Sequence, residues 1–278
     1  MLEQLKYKNH MNEVFEFGKD GIFVDMNELH DYEWAVTKKG SRIASLDRDV
    51  SKRKLPVIII CATKEQGIAA RNKLMEVVEK DVLAFKHGKI IIGDYYFKCF
   101  VTKSQKKNYL TTKRWMELTL TLTTDFPFWV KETTSVFGIP GSGTGNQGSG
   151  VGLDFGFDHP FDYTSSVEFK EITNTGFVAS DFRMVIYGAC QNPAININGH
   201  EYRVNCDVGS GEYLTIDSAA KKIYLTDNNG TTTNVFSHRS RDSYIFQKIE
   251  PGKSHVSWVG EFGFDVTLLE ERSEPKWT

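Results

Sequence analysis

The chain has 278 residues, and 40% of them are apolar, which is enough to fill the cores of two ordinary domains. Its 34 basic and 36 acidic side chains give a formal net charge of -2, which argues against a general attraction to polyanions such as nucleic acid. The balance conceals an asymmetry, because residues 1–137 carry 23 basic and 18 acidic side chains whereas residues 138–278 carry 11 and 18.

The first 60 residues contain short strand-like segments separated by turn signals. The segments "VFEFGKDGIFVDM" and "YEWAVTK" alternate or cluster like short strands, and "LPVIII" is a continuous apolar run typical of a buried strand. A helix follows, because Thr63 and Gln66 have the spacing of a capping box. The apolar residues expected on its buried face are Ile68, Leu74, Met75, Val78 and Val82.

Two long strands are predicted after the helix, in "KIIIGDYYFKCFVTK" and "RWMELTLTLTTDF". In the second, Met116, Leu118, Leu120 and Leu122 alternate with more polar residues, as in a strand with one buried face. We therefore predict that residues 1–137 form an α+β domain with strands around one helix. The basic cluster that includes Lys113 and Arg114 is interpreted as a solvated hairpin tip rather than a nucleic-acid site.

The segment "RIASLDRDVSKRK" from Arg42 to Lys54 has many charges and few apolar residues. We expect it to form an arm or loop that contacts a neighbouring subunit. The residues predicted to lie at this interface are Arg42, Asp47, Arg48, Asp49, Lys52 and Arg53.

Residues 138–152, "GIPGSGTGNQGSGVG", are predicted to form a linker because they have almost no side chain able to build a core. The segment contains a formal Gly-x-Gly-x-x-Gly pattern, but no helix can begin after it to hold a pyrophosphate. From residue 153 to residue 278 short alternating strands recur without a helical pattern, and Asn198-Gly199 and Asn229-Gly230 are hairpin signals. We predict a jelly-roll or galectin-like β-sandwich there, and hence a mainly β protein.

Residue patterns for catalysis or metal binding are absent from the sequence. The seven histidines have no ligand spacing, no nucleophile elbow is present, and Asp158 and Asp162 are better explained by a surface turn than by glycosidase chemistry. We predict no enzymatic activity, no cofactor and no metal. The cysteines are expected to be buried free thiols of a protein made in a reducing cytoplasm; they are Cys61, Cys99, Cys190 and Cys206. No apolar stretch reaches the length of a membrane span.

A carbohydrate-binding β-sandwich that contacts the host cell wall is the alternative function. Exposed aromatic rings stack on the apolar faces of sugars, and Tyr244 and Trp258 could supply such rings. Both residues alternate within strand-like sequence, however, so packing in the core explains them as well.

The strings "GEYLTIDSAAKKIYLTDNNGTTTNVF", "FSHRSRDSYIF" and "PGKSHVSWVGEFGFDVTLLEERSEPKW" resemble the C-terminal part of the distal tail proteins of long-tailed phages that infect Gram-positive bacteria. The segment "TLTTDFPFWVKE", from Thr121 to Glu132, resembles the strand and Asp-x-Pro-x-Trp exit that close the N-terminal domain of that family.

The resemblance implies a structural virion protein, a hexameric ring at the tail tip whose belt is built from the N-terminal domains. The partners that it implies are the tail-tube protein, a tail-tip or tail-associated lysin protein, and the tape-measure protein.

Overall fold

The computed structural model describes residues 5–107, 115–139 and 170–276. Most of the predicted linker, its glycine pattern, Asp158 and Asp162, and the hairpin tip with Lys113 and Arg114 lie outside the described residues. The chain divides into two compact units, one formed by Met1–Lys131 with Glu271–Thr278 and the other by Glu132–Glu270. The predicted domain boundary at residues 137 and 138 stays a prediction.

The described part of the first unit contains one long helix and a set of mostly antiparallel strands. The strands are β1 (Leu5–Lys8), β2 (Val14–Glu16), β3 (Ile22–Val24), β4 (Ala35–Lys39), β5 (Arg42–Asp47), β6 (Ser51–Ile60), β7 (Gly88–Ile92), β8 (Tyr95–Lys106), β9 (Trp115–Thr124) and the first residues of β10 (Trp129–Phe137). The helix, α1, spans Lys64–Ala84.

Strand β8 joins two sheets in this unit. Its first half pairs with β7 and β10, and β7 continues through β1 to β2. Its second half pairs with β9, which continues through β6 to β3. Between the halves lies a β-bulge at Val101/Lys103, and bulges of this kind bend a strand so that it can serve two sheets.

Helix α1 begins at the predicted capping box. The backbone N–H of Gln66 donates to Thr63 Oγ1 at 3.3 Å, and the N–H of Thr63 donates to Gln66 Oε1 at 3.3 Å. The predicted buried face was partly wrong, because Ile68 and Val82 are exposed. The residues that the helix buries are Gly67, Ala70, Leu74, Val77, Val78 and Asp81.

The sequence predicted one strand for "KIIIGDYYFKCFVTK", but the structure has two. Strands β7 and β8 are separated by a turn in which Gly93 has φ +54°, a conformation that favours glycine. In β9 the prediction was correct, since Met116, Leu118, Leu120 and Leu122 are all buried. They belong to a core that also contains Trp129, Phe97 and the buried helix residues.

The second unit is a β-sandwich. In addition to the last residues of β10, its strands are β11 (Lys170–Asn174), β12 (Asp181–Tyr187), β13 (Cys190–Gln191), β14 (Ala194–Ile197), β15 (His200–Arg203), β16 (Asp207–Val208), β17 (Tyr213–Asp217), β18 (Lys222–Thr226), β19 (Thr232–Asn234), β20 (Gly252–Trp258) and β21 (Phe264–Arg272). A short 3₁₀ turn, Phe236–His238, follows β19.

The larger sheet of the sandwich has the order β19-β18-β17-β12-β21-β10, and the smaller has the order β11-β20-β14-β15. One apolar cluster contains inward side chains of both sheets, such as Phe182 and Leu214 from the larger and Ile172 and Ile195 from the smaller. The predicted Asn198-Gly199 hairpin is confirmed, because both residues have positive φ between β14 and β15. The protein is therefore mainly β, as predicted.

Candidate functional site

Strands β4 and β5 form a two-stranded hairpin that pairs with no other described strand; we call it the arm. Gly40 and Ser41 make its tip, and Gly40 has φ +64°. Every residue of β5 is exposed, as are four of the five residues of β4. An isolated two-stranded hairpin is at best marginally stable in water, so a surface that covers the arm would stabilise it.

The arm carries large apolar side chains that the described residues leave in solvent. Val36 is 47% exposed, Ile43 is 64% exposed and Leu46 is 53% exposed. Val36 and Leu46 are cross-strand neighbours. Apolar residues grouped on one exposed element are a feature of interaction surfaces.

The outer end of the arm is basic. Lys39 and Arg42 face each other across the two strands, and Lys38 precedes them. All three are exposed, and none forms an ion pair with an acidic residue among those described. The arm therefore presents three cations that its own subunit does not neutralise.

Arg48 joins the two ends of the arm to the rest of the unit. Its guanidinium carbon lies 4.3 Å from the ring centroid of Trp34, which precedes β4, and 4.8 Å from that of Phe128. Its Nη1 donates to the carbonyl oxygen of Pro127 at 2.9 Å, and its Nη2 contacts Ser273 Oγ. Burial lowers the pKa of Arg48. Because Trp34 and Arg48 flank the hairpin, this stack holds both of its ends together.

A cleft of about 510 Å³ lies at the base of the arm. Its walls come from the loop before β4, from the segment that leads from β5 into β6, and from the loop between β9 and β10. They are Glu28, Asp31, Tyr32, Glu33, Ala35, Arg48, Asp49, Val50, Ser51, Lys52, Arg53 and Pro127. We call this the acidic cleft, because its exposed carboxylates of Asp31, Glu33 and Asp49 outnumber the one exposed cation, Lys52.

The six residues predicted at a subunit interface have four different positions. Arg42 and Asp47 lie on the exposed arm, and Asp49 and Lys52 are exposed in the cleft wall. Arg48 stacks on Trp34 and Phe128 at the base of the arm. The sixth, Arg53, differs from the others because its side chain is buried.

Arg53 is only 4% exposed, although its neighbours in the sequence are charged and solvated. Its Nη1 donates to the carbonyl oxygen of Leu29, and its guanidinium carbon is 4.3 Å from the Phe97 ring centroid. Burial lowers its pKa to about 10, so it is still protonated at neutral pH. The side chain of Arg53 is thus used inside its own unit.

The two aromatic residues of the alternative carbohydrate site have different environments. Trp258 packs edge-on against Phe264 at 5.1 Å, and its Nε1 donates to the Phe262 carbonyl oxygen at 2.9 Å, so its ring is used in the sandwich core. Tyr244 is 57% exposed, beside Phe246. Of these two residues, Tyr244 is the one whose side chain is mainly exposed to solvent.

Sequence reasoning missed the apolar side of the arm and the acidic residues opposite its base. The string "WAVTKKGSRIASL" contains the signal, since a Gly-Ser tip separates two segments with apolar residues. The prediction for this segment was based on its charged residues and did not include Val36, Ile43 and Leu46. No sequence pattern identifies Asp31 and Glu33 as part of this site, because they come close to β6 only in the folded protein.

No groups of three or more His, Cys, Asp or Glu side chains suited to a metal ion occur in the described part of the chain. Within the same residues, no helix combines the length and the apolar character needed to cross a membrane. Burial raises the pKa of Cys99 to about 12 and that of Cys190 to about 11, so these two thiols stay protonated and unreactive at neutral pH.

Neither a protein-family model nor a curated protein sequence matches the chain. Solved structures do match. The Dit protein of phage SPP1, described as a paradigm of the hub adsorption apparatus in phages that infect Gram-positive bacteria, aligns with a TM-score of 0.60 and 8% identity. The alignment covers 98% of this chain and 100% of that one.

A chain of the phage P2 baseplate in its activated conformation with calcium aligns with a TM-score of 0.65 and 12% identity, over 99% of this chain and 100% of that one. The same baseplate with strontium gives a TM-score of 0.63 at 12% identity, with the same coverage. The chain therefore has the fold of the SPP1 Dit protein and of a chain of the phage P2 baseplate.

Proposed function

We propose that this protein is a structural component of a phage virion, a ring-forming hub at the distal end of the tail that joins the tail tube to the tail-tip or adsorption apparatus. The observation that carries the proposal is the shared fold along 98% of this chain and 100% of the SPP1 Dit protein. A fold that is shared end to end, rather than in one module, favours a shared architectural role over a borrowed domain.

The arm supports the ring-forming part of the proposal. A closed ring needs a heterologous contact, in which one surface of a subunit meets a different surface of the next. The arm is a projecting element with exposed Val36, Ile43 and Leu46, and it pairs with no other described strand. We propose that six subunits close the ring and that their N-terminal domains form its belt.

The same proposal includes partners and location. The ring lies in the phage tail after its subunits are made in the host bacterial cytoplasm. It binds the tail-tube protein, a tail-tip or tail-associated lysin protein, and the tape-measure protein. It has no enzymatic activity and makes no sequence-specific contact with nucleic acid.

The test is the mass and shape of the purified full chain, measured by light scattering coupled to size exclusion and by negative-stain imaging of the same fraction. We expect one species near six times the subunit mass of 31.6 kDa, with ring-shaped particles and a central channel. A monomer at every concentration up to the millimolar range would contradict the ring. Binding of the isolated Glu132–Glu270 unit to host cell-wall glycan, abolished by Tyr244→Ala, would instead favour the carbohydrate alternative.

A further inference from the structure

We propose that the acidic cleft of one subunit binds the basic outer end of the arm of a second copy of this chain. This inference rests on the proposed ring and specifies the contact that closes it. The bound segment is Lys38–Arg42, and the surface that receives it is formed by Asp31, Glu33 and Asp49 together with the start of β6.

The charges of the two surfaces are complementary. The arm presents Lys38, Lys39 and Arg42, and the cleft presents the exposed carboxylates of Asp31, Glu33 and Asp49. None of the three carboxylates forms a salt bridge with a described cation, and the charge of Asp31 in addition raises the pKa of the buried Arg53. Charges left unneutralised on two surfaces of one subunit steer those surfaces together when two subunits meet. They also fix which surface meets which, because arm against arm would place cation on cation.

The cleft also contains an open strand edge. Along β6, alternate residues direct their backbone groups away from β9: the Lys54 oxygen accepts from the Glu28 N–H at 3.1 Å, and the Pro56 oxygen accepts from the Asp25 N–H at 3.1 Å. By the same alternation, the N–H and C=O of Lys52 point into the cleft. No described backbone group pairs with them. An extended segment can add to such an edge by main-chain hydrogen bonds.

The occupant has to come from another subunit. The cleft lies at the base of the arm, since Ala35 and Arg48 form part of its wall. A strand advances about 3.3 Å per residue, so the five residues of β4 place the tip roughly 16 Å from that base. A paired hairpin cannot fold back on itself over that distance. The arm of a neighbour can reach the cleft, and repetition of this head-to-tail contact generates a ring.

Charge reversal tests the contact, because it can be made on either side and then on both. The arm variant is Lys38→Glu, Lys39→Glu and Arg42→Glu; the cleft variant is Asp31→Lys, Glu33→Lys and Asp49→Lys. We expect each variant alone to need at least tenfold higher protein concentration to form the ring. The chain that carries all six changes is expected to form the ring again, since the charges are then complementary in the opposite sense.

A matched control separates the contact from net charge. The triple variant Lys64→Glu, Lys86→Glu and Lys276→Glu changes the net charge by the same amount as the arm variant, at exposed positions outside the arm and the cleft, and we expect it to assemble like the wild type. Equal amounts of the arm and cleft variants should associate with each other, because one intact arm and one intact cleft remain. All variants are first compared with the wild type by far-ultraviolet circular dichroism and thermal unfolding.

The outcomes distinguish this inference from the proposed function. Rings that form normally in both the arm and the cleft variant would overturn the arm-to-cleft contact and leave the hub proposal in place. Loss of assembly in both variants without recovery in the six-residue variant would also overturn it. A wild-type chain that never assembles would contradict the ring itself.

Discussion

At the residue scale, Asp81 on helix α1 is a buried polar group that is 0% exposed. Its Oδ2 accepts a hydrogen bond from Tyr7 Oη at 2.5 Å, and its Oδ1 accepts from the backbone N–H of His10 at 2.8 Å and lies 2.6 Å from His10 Nδ1. Burial, with the nearby Cys99 and Asp81, raises the pKa of Tyr7 well above its usual value, so the phenol keeps its proton to donate. Gly88 permits this packing, because a Cβ there would meet Asp81 Oδ2 and Tyr7 Oη at 2.2 Å.

We predict that Asp81→Asn lowers the free energy of unfolding of the first unit by about 2–4 kcal/mol, because an amide nitrogen would replace an oxygen that accepts hydrogen bonds in a buried place. Urea unfolding followed by tryptophan fluorescence measures the change. Asp20→Asn is the control, since Asp20 is exposed and pairs with the exposed Lys73 at 3.2 Å; its effect should stay below about 1 kcal/mol. Equal effects of the two substitutions would contradict the structural role of Asp81.

Asp181 has a role of the same kind in the sandwich, and it predicts a pH dependence. Burial opposes ionisation of Asp181, but hydrogen bonds from Lys248 at 2.8 Å and Ser218 at 2.8 Å keep its pKa below 3.8, its ordinary value. A carboxyl whose pKa is lower in the folded state stabilises the fold above its unfolded pKa, and the stabilisation is lost as pH falls through the folded pKa.

We therefore expect Asp181→Asn to destabilise the sandwich at pH 7, and the difference from wild type to narrow as pH falls from about 5 towards 2. Thermal unfolding of both proteins across this pH range measures the difference. Glu261→Gln, at an exposed position of the second unit, is the control. A difference that is independent of pH would show that the charge of Asp181 is not what stabilises the fold.

At the element scale, the sequence predicted elements whose signal is local and missed features that depend on contacts between elements. The alternation in β9 and the capping box of α1 were predictable, because each depends on residues close together in sequence. The buried face of α1 was not, because it includes Gly67 and Asp81, which are not apolar residues, and leaves Ile68 and Val82 exposed. Arg53 looked solvated for a related reason, since Leu29 and Phe97 enclose it only in the folded unit.

The arm predicts an element-scale effect of the Arg48 stack. In Arg48→Ala the arm loses the contacts that hold its two ends, so it should open more often and be cleaved by trypsin at Lys38 and Lys39 about tenfold faster under native conditions. Trp34→Ala should have a similar effect, because it removes the other half of the stack. Arg48→Lys keeps the charge without the planar stack and should be intermediate.

Limited proteolysis with mass spectrometry of the fragments measures these rates on the unassembled chain at low concentration. Arg241→Ala is the control, because Arg241 is exposed in the second unit and its loss should leave cleavage of the arm unchanged. Cleavage at Lys38 that is unchanged in both Arg48→Ala and Trp34→Ala would show that the stack does not hold the arm.

At the scale of the whole molecule, two electrostatic explanations of assembly compete. The net charges of residues 1–137 and 138–278 are opposite in sign, +5 and -7, and could attract the halves of neighbouring subunits in a general way. The arm and the acidic cleft offer a local attraction within the first 137 residues. Both weaken with salt, because the screening length falls from about 10 Å at 0.1 M to about 3 Å at 1 M ionic strength.

A neutral arm separates the two explanations. For the wild type we expect the concentration needed for half-assembly to rise about tenfold or more between 0.05 M and 0.5 M sodium chloride. The neutral-arm variant carries Lys38→Gln, Lys39→Gln and Arg42→Gln together and therefore lacks the local attraction. We expect it to assemble more weakly than the wild type at low salt and to lose most of this salt dependence. If the neutral arm keeps the wild-type salt dependence, the charge asymmetry of the two halves explains it instead.

Mass photometry across the salt series measures the half-assembly concentration directly. We expect the exposed Val36, Ile43 and Leu46 to account for the association that remains in high salt.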